Sequence, residues 1–417
     1  MNRTAVIGAG IAGLSTALML SEAGYAVTLF SRGIGGLLQS NGTIDVLGWE
    51  NGRADKTPVT GVDSAFARFT AENPHHPYAQ IGLENVKRGI AHITQKLDFF
   101  PSYREEEKLC NVLLPTAVGS VRPTAVLPES MRHSVLKDGG EYLLAGFDRL
   151  KDFPLELAAD NLRRNPLVRV KVRTKLLDLP IRGGIERDAN ATVHARAFDS
   201  PDSALREELC RQLRGEIRPG ETVLVPAVLG LRPQTFRTIS GELAVPVGEI
   251  PLPPPSVGGR RISDALLGAC RENRVDIRLN STVVGAVAQG KRILALKVRQ
   301  AGRVAQIPVQ TVTDAAGRYE SGSIVRDSYG KIKESIFGLP LFSPDIPGRD
   351  FAAEKIYRTG VAVNRDMNPV DEFGKPVFTN LFCAGDILGG SLPWDEKSGE
   401  GIALGSAAAV FAAIEGK

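Results

Sequence analysis

The chain has 417 residues, of which 43% are hydrophobic and 24% are charged, and its formal net charge is +4. A chain of this length suggests two or three domains, and it can bury a large core without disulfide or metal support. The balanced charge and ordinary apolar content give no case for a nucleic-acid-binding protein or for a disordered one.

The four cysteines are scattered along the chain. They are Cys110, Cys210, Cys270 and Cys383, and no two of them form a Cys-x-x-Cys pair. The sequence therefore predicts no metal site, no iron–sulfur cluster and no dithiol redox centre, and it excludes a thiol–disulfide reductase. Scattered cysteines suit a reducing compartment.

No segment is predicted to be a signal peptide or a membrane span. The first apolar run begins at Thr4, and we expect it to form a strand rather than a leader. The longest apolar stretch, residues 402–414, is shorter than the roughly 20 residues that a span needs. We therefore expect a cytoplasmic chain whose membrane contact, if it has one, is peripheral or made through a partner.

The first predicted elements are a strand, a glycine turn, a helix and a second strand, all within residues 4–30. The turn carries Gly8, Gly10 and Gly13 in the spacing G-x-G-x-x-G. In this context the first glycine permits a tight turn, the second lets a pyrophosphate approach the backbone, and the third lets the helix pack on the strand. Because the helix N-terminus presents free N–H groups, we expect these glycines to bind a dinucleotide, which argues for FAD.

The second strand ends without the acidic residue that usually holds the ribose of the dinucleotide. Ser31, Arg32 and Gly33 stand there instead. Two interpretations of Arg32 stay open: it contacts a phosphate, or it is a surface residue. The loop that follows contains small and polar residues that can approach a flavin ring closely. They are Ser40, Asn41 and Gly42.

Residues 61–250 are predicted to form a second region. It contains a loop at 73–78, a helix over about 84–97, and strands over 167–177 and 221–229. The strand over 167–177 alternates valine with cations, which is typical of a half-buried strand with a basic outer face. That face is either solvated or a docking surface.

A proline-rich loop over residues 249–261 precedes a predicted helix over 264–271. A short proline run beside two glycines predicts a stiff, defined loop. Arg260 and Arg261 end this loop. They either bind an anion at the start of the helix or pair with acidic residues on the surface.

Two further strand–glycine pieces lie in the C-terminal part of the chain. One strand precedes Gly317, and another precedes Gly385 and Asp386. Both pieces resemble those of flavoproteins with two dinucleotide-binding domains, in which the aspartate holds the ribitol chain of the flavin. Gly401 opens the apolar helix that follows, and the positive end of that helix would face the flavin ring.

Together these pieces predict an α/β fold: a Rossmann-like flavoprotein of the two-dinucleotide-binding-domain type, with an inserted second region of α/β or α+β structure. The flavin-binding domain is predicted to be discontinuous, over residues 1–60, 251–330 and 358–417. Residues 61–250 form an inserted substrate or partner domain. Both ends of the chain must return to one sheet, because each carries part of the flavin site.

Several stretches together resemble the B subunit of the anaerobic glycerol-3-phosphate dehydrogenases, from end to end of the chain. The stretches are Ser31–Gly33, Ser40–Asp45, His76–Tyr78, Leu114–Thr116 with Gly119 and Arg122, Pro253–Val257 with Arg261, and Gly385–Gly390. No single stretch is specific, but their order and spacing are. The resemblance implies a complex with a larger flavoprotein subunit and with an iron–sulfur subunit, which anchors the complex at the inner face of the cell membrane.

The resemblance also implies the reaction. The family oxidises sn-glycerol 3-phosphate to dihydroxyacetone phosphate and passes the electrons to a quinone. The B subunit of the family is described with FMN, whereas the glycine turn argues for FAD, and both flavins stay open. The charged residues 391–400 depart from the glycine-rich ending that the family would lead us to expect after Gly390.

We assign candidate residues to a reaction in which the flavin accepts a hydride from C2 of the substrate while a base takes the hydroxyl proton. His76 is the candidate base, and Arg122 and Arg261 are candidates for the substrate phosphate, because arginine binds phosphate in a bidentate manner. Two alternatives stay open. One is a stand-alone FAD oxidoreductase for another small anion, and the other is an assembly or electron-relay subunit, with catalysis on the larger flavoprotein subunit.

Overall fold

The structure is a computed structural model that describes residues 3–50, 57–181, 188–343 and 356–416. The α-helices in these residues are α1 (Ile11–Glu22), α2 (Val62–Glu72), α3 (Tyr78–Ile81), α4 (Leu83–Lys96), α5 (Leu155–Arg163), α6 (Ala191–Phe198), α7 (Ala204–Arg214), α8 (Pro233–Leu243), α9 (Val257–Glu272), α10 (Pro393–Glu396) and α11 (Gly399–Glu415). The strands are β1 (Arg3–Ile7), β2 (Ala26–Phe30), β3 (Val112–Pro115), β4 (Val121–Thr124), β5 (Glu141–Phe147), β6 (Lys171–Leu177), β7 (Thr222–Pro226), β8 (Val247–Ile250), β9 (Asp276–Arg278), β10 (Thr282–Gln289), β11 (Arg292–Gln300), β12 (Arg303–Pro308), β13 (Thr311–Asp314), β14 (Ile324–Arg326), β15 (Ile332–Glu334), β16 (Leu341–Phe342), β17 (Gly360–Val361) and β18 (Leu381–Cys383).

The first core is built on a five-stranded parallel sheet with the strand order β18-β13-β1-β2-β9. Its strands come from both ends of the chain, since β1 pairs with β2 and β13, and β13 pairs with β18. Strands β1, β13 and β18 are short and have few exposed side chains, which is typical of a parallel sheet covered by helices. This arrangement confirms the predicted α/β class.

Helix α11 packs against both α1 and α4 in this core. The approach to α4 requires glycine, because a Cβ on Gly89 would lie 2.3 Å from the carbonyl oxygen of Leu404. Helices α1 and α11 are apolar on nearly all sides because they are buried on nearly all sides. Within the described ranges, no helix has both the length and the apolar character that crossing a membrane requires.

A second core is built on a four-stranded parallel sheet with the order β6-β5-β7-β8. Helices α5 to α8 contribute buried side chains to it. Helices α2 to α4 fall inside the predicted inserted domain, but their apolar side chains pack into the first core. Buried residues of the first core run to Leu109 and also include Val126, whereas most buried residues between Ala117 and Val257 belong to the second core. The domain division drawn from the sequence stays a prediction.

Two predicted elements begin at other residues than expected. The helix predicted over 264–271 begins already at Val257, because the Ser256 hydroxyl accepts the N–H of Gly259 at 2.8 Å and caps it. The strand predicted over 167–177 is confined to β6. Because α9 begins at Val257, Arg260 and Arg261 lie in the first two turns of this helix and not in the loop where we expected them.

The carboxyl group of Asp314 is buried at the end of β13. Its Oδ1 accepts the N–H of Ala316 at 3.1 Å, and its Oδ2 has no hydrogen-bond partner among the described residues. Burial and the charge of Glu334 raise the pKa of Asp314 to about 7. Since the pKa of an aspartate is about 4 in the unfolded chain, this group lowers stability progressively as the pH rises from about 4 to about 7.

We therefore expect Asp314→Asn to raise the free energy of unfolding by about 2 kcal/mol at pH 8 and by far less at pH 4. Urea unfolding at the two pH values measures this difference. Asp366→Asn, at an exposed position, serves as the matched control and should show no such dependence. A gain of equal size at both pH values would contradict the assignment of an ionisation cost to Asp314.

Candidate functional site

The predicted flavin-binding glycines lie at one edge of the five-stranded sheet. Because β1, β2, β13 and β18 are parallel, their carboxyl ends meet at the same edge, where open α/β sheets bind ligands. Gly8 and Ser31 directly follow two of these strands, and Gly317 and Gly385 follow the other two within three residues. The fold thus gathers motif pieces from both ends of the chain.

The glycine turn between β1 and α1 has the geometry of a phosphate-binding loop. Gly8 has a φ of +108°, and a Cβ on it would lie 2.2 Å from the carbonyl oxygen of Ala315. A Cβ on Gly13 would lie 2.0 Å from the carbonyl oxygen of Gly8. Gly10, by contrast, faces open space, and no described side chain caps α1 there. The first N–H groups of α1 are therefore oriented to receive an anion.

The three predicted residues after β2 make local contacts. Ser31 Oγ donates to the carbonyl oxygen of Gly33 at 2.7 Å. Arg32 is exposed, and its Nη2 donates to the carbonyl oxygen of Ser321 at 2.6 Å. A role for Ser31, Arg32 and Gly33 in cofactor binding stays a prediction.

The loop with Ser40, Asn41 and Gly42 meets the starts of two helices, α9 and α11. Ser256, the N-cap of α9, donates its hydroxyl to the carbonyl oxygen of Ser40. Gly42 packs so tightly on α9 that a Cβ would lie 2.6 Å from the helix backbone. Ser40 Oγ in turn donates to Oε1 of Glu400 in α11 at 2.9 Å. We call this meeting point of the loop with the two helix starts the helix junction.

The Gly385–Asp386 turn after β18 is fixed by Arg318 and by α11. Arg318 Nη2 donates to Asp386 Oδ1 at 2.9 Å, and its Nε donates to the Asp386 carbonyl oxygen at 2.7 Å. The Ser406 hydroxyl in α11 accepts the N–H of Gly385 at 2.8 Å. The side chain of Asp386 is 47% exposed although that of Arg318 is buried, so its carboxylate keeps an open side for a ligand hydroxyl.

Arg122 lies in a buried cluster with Asp45. Its Nη2 donates to both carboxylate oxygens of Asp45 at 2.7 Å, and to Oγ1 of Thr43 at 2.6 Å. Thr124 also donates to Asp45 at 2.6 Å. Nε and Nη1 of Arg122 are buried and have no hydrogen-bond partner in the part of the chain that the structure describes. Because unsatisfied buried N–H groups are costly, these two nitrogens fit an anionic ligand.

Glu400 and Asp45 are functional candidates that sequence reasoning missed. Glu400 is partly buried in the first turn of α11, and burial together with the charge of Asp45 raises its pKa to about 7. The sequence signal that could have identified Glu400 is a carboxylate at the start of an otherwise apolar helix. Asp45 stands in one of the family-like stretches, but nothing in the sequence paired it with Arg122.

His76 is only 3% exposed, and both of its ring nitrogens have partners. Nδ1 accepts the N–H of Tyr78, and Nε2 donates to Oε2 of Glu396, both at 3.2 Å. Glu396 also accepts hydrogen bonds from Arg358 at 3.1 Å and from Ser398 at 2.9 Å. A catalytic role for His76 stays a prediction, and this geometry favours a role in positioning the segment before α11.

Arg261 lies in a buried ion pair at the start of α9. Its Nη1 and Nη2 donate to the two carboxylate oxygens of Glu249 at 2.5 and 3.0 Å, and its Nε donates to the carbonyl oxygen of Gly230 at 2.9 Å. The side chain is 4% exposed. A role in binding the substrate phosphate stays a prediction, and this geometry disfavours it because the guanidinium already has a bidentate carboxylate partner.

The residues at the sheet edge fit a flavin dinucleotide. The open space at Gly10 leaves room for a pyrophosphate, and the exposed side of Asp386 can accept a hydroxyl. Gly401 packs against protein atoms, since a Cβ there would lie 2.3 Å from the Tyr78 hydroxyl, and its role in cofactor binding stays a prediction. Among the described residues, no cluster of His, Cys, Asp and Glu could hold a metal ion.

The comparison with protein families gives a match over nearly the whole chain. The model of the FAD binding domain family matches residues 3–402, which confirms the expected flavin cofactor. The probable anaerobic glycerol-3-phosphate dehydrogenase B subunit of Halobacterium salinarum is 29% identical over 432 residues, covering 98% of this chain and 97% of that protein. The anaerobic glycerol-3-phosphate dehydrogenase B subunit of Vibrio cholerae is 28% identical over 421 residues, covering 97% and 94%.

Solved structures show similarity at low identity. The 3-ketosteroid Δ1-dehydrogenase of Sterolibacterium denitrificans is 11% identical, covers 100% of both chains and has a TM-score of 0.47. A flavocytochrome c3 fumarate reductase is 12% identical, covers 99% of this chain and 78% of that chain, and has a TM-score of 0.45.

Proposed function

The chain belongs to the FAD binding domain family, and we propose that it is the B subunit of an anaerobic glycerol-3-phosphate dehydrogenase. In this role it oxidises sn-glycerol 3-phosphate to dihydroxyacetone phosphate, and the electrons pass to a quinone. The names of relatives at 28–29% identity over nearly the full chain support the proposal. The structural observation that carries it is the pair of unpartnered buried nitrogens on Arg122, in a chain whose family binds a redox cofactor.

FAD is the flavin that we propose. Its pyrophosphate requires a close approach to the backbone, and Gly10 leaves that approach open. The N–H groups at the start of α1 would hold the phosphates, and Asp386 would accept a hydrogen bond from the ribitol chain. Bound FAD supplies the acceptor for a hydride. Release of FMN instead would mean that the glycine turn holds a single phosphate.

Arg122 is the residue that we propose for the substrate phosphate. Its Nη2 is held by Asp45, so the guanidinium is fixed in orientation while Nε and Nη1 stay free for an anion. Nε and Nη1 point to different sides of the guanidinium, so one of them would donate to a phosphate oxygen while Nη2 keeps the group fixed on Asp45.

Arg122→Lys should raise the KM for glycerol 3-phosphate about 10- to 100-fold, since lysine keeps the charge beside Asp45 but cannot hold a further N–H donor in a fixed direction while it is bound there. Steady-state kinetics with an artificial electron acceptor measure this effect. Arg260→Lys is the matched control, because Arg260 pairs with Asp264 on the outer surface of α9. An unchanged KM in the Arg122 variant would exclude Arg122 from the phosphate site.

The partners follow from the same proposal. Membership of such a dehydrogenase implies further chains, and we propose the larger flavoprotein subunit and the iron–sulfur, membrane-anchoring subunit. Contact with the inner face of the cell membrane would then be made through the iron–sulfur subunit, with this chain on the cytoplasmic side.

The direct test of the function is a substrate assay with the chain alone and with its co-expressed partner subunits. We expect glycerol 3-phosphate to reduce the acceptor, and glycerol, which lacks the phosphate, to fail. Activity of the chain alone on a different small anion would replace this proposal with a stand-alone oxidoreductase. A colourless chain that takes up neither flavin would leave an assembly role.

A further inference from the structure

The helix junction holds one partly buried carboxyl group, that of Glu400. It lies in the first turn of α11, between two predicted cofactor residues: Ser40, to which it is hydrogen-bonded, and Gly401, which follows it in the chain. Ser40 Oγ fixes its Oε1 at 2.9 Å, so the carboxyl group is held in place by a loop that follows β2. The junction therefore positions an acid–base group beside the predicted flavin site.

The charged and titratable groups around Glu400 are Asp45, Arg122 and Tyr78. Asp45 already accepts hydrogen bonds from Arg122, Thr43 and Thr124. The Tyr78 hydroxyl donates to the Val46 carbonyl at 2.5 Å and is fully buried, and burial raises its pKa well above the usual value. Asp45 and Tyr78 are therefore not placed to exchange a proton with a ligand.

Glu400 has two properties that a general base needs. It keeps part of its surface in contact with solvent, so it can release a proton after taking one up. Its pKa of about 7 also lies near neutral pH, where a general base works best. His76, the base expected from the sequence, is buried, and both of its ring nitrogens already have partners.

We propose that Glu400 is the general base that takes the hydroxyl proton of the substrate. The inference rests on the proposed function. The C2 hydroxyl gives its proton to the Glu400 carboxylate, the C2 hydride goes to the flavin, and the C–O bond becomes the carbonyl of the product. Glu400 then returns the proton to solvent.

The test uses the flavin-loaded chain with Glu400→Gln, which keeps the shape and can still accept the Ser40 hydrogen bond. We expect flavin reduction by glycerol 3-phosphate to slow by about a hundredfold to ten-thousandfold. The wild-type rate should rise with pH through about 7, and the variant should lose this rise. Glu372→Gln, on an exposed turn, is the matched control and should keep the wild-type rate and pH profile.

A binding measurement separates this role from a structural one. Protonated Glu400 would donate to the carbonyl of dihydroxyacetone phosphate, so the wild-type chain should bind this product about tenfold more tightly below pH 7 than above it. The Glu400→Gln amide donates at every pH, and its product affinity should lose that difference. Any titration of the product phosphate is common to both proteins and cancels in the comparison.

The outcomes distinguish the two proposals. Wild-type rates and an unchanged pH profile in Glu400→Gln would overturn the role of Glu400 and leave the proposed function standing. A wild-type flavin that glycerol 3-phosphate does not reduce at any pH, alone or with the partner subunits, would overturn the proposed function and this inference with it.

Discussion

Gly10→Val should remove the flavin from the chain and leave its fold intact. Gly10 has a φ of −76° and a ψ of 177°, an extended conformation that valine adopts readily, and a Cβ there would contact no protein atom within 4 Å. The side chain would instead fill the space in front of the first N–H groups of α1, where the pyrophosphate must lie. We expect flavin affinity to fall by at least about 100-fold, or about 2.8 kcal/mol.

The measurement is flavin content after purification, together with urea unfolding of the flavin-free proteins. The free energy of unfolding should change by no more than about 1 kcal/mol. Gly268→Val is the matched control, because Gly268 in α9 also has no atom within 4 Å of a Cβ. A variant at position 10 that retains flavin as the wild type does would place the phosphates elsewhere.

Glu396→Ala should destabilise the fold by about 3 kcal/mol or more, because it leaves buried partners without their carboxylate. Glu396 is buried and accepts hydrogen bonds from His76, from Arg358 and from the N–H of Leu392. Burial alone would raise the pKa of Glu396, but the bond from His76 and the other donors outweigh it and lower the pKa to about 2. The loss should appear in urea unfolding at pH 7.

The same contacts make the stability contributed by Glu396 depend on pH. Since the pKa of Glu396 is lower in the folded chain than the ordinary value of 4.5, its stabilisation is complete above about pH 4.5 and is lost as the pH falls towards 2. Wild type and Glu396→Ala should therefore converge in stability in acid. Glu372→Ala, at an exposed position, should behave as the wild type throughout. A constant gap between wild type and Glu396→Ala down to pH 2 would contradict the role given to the carboxylate.

The fold was largely predictable because it depends on local patterns. The apolar runs of β1 and β2, the glycine turn and the terminal helix α11 each have a short-range signature, and the family match over residues 3–402 agrees with them. The start of α9 was missed because a single cap at Ser256 extends the helix through Gly258 and Gly259. Glycines usually indicate a helix end, so the proline-rich loop was expected to continue further.

The acid–base chemistry of the site was not predictable, because it arises from contacts between distant residues. Asp45 and Arg122 are 77 residues apart, and Ser40 and Glu400 are 360 apart. The sequence predicts a loop at His76 and gives no sign of its burial against Glu396, which only the three-dimensional structure shows. From the sequence there was equal reason to propose Arg122 and Arg261 for the substrate phosphate. Their hydrogen-bond partners in the structure favour Arg122, which keeps two nitrogens without a partner among the described residues.

The visible spectrum of the flavin-loaded chain, recorded without oxygen before and after addition of glycerol 3-phosphate, tests the account most directly. We predict an oxidised flavin band that glycerol 3-phosphate bleaches and glycerol does not, with FAD released on denaturation. A flavin band that glycerol 3-phosphate leaves unchanged, in the chain alone and in its complex with the larger flavoprotein and iron–sulfur subunits, would contradict it.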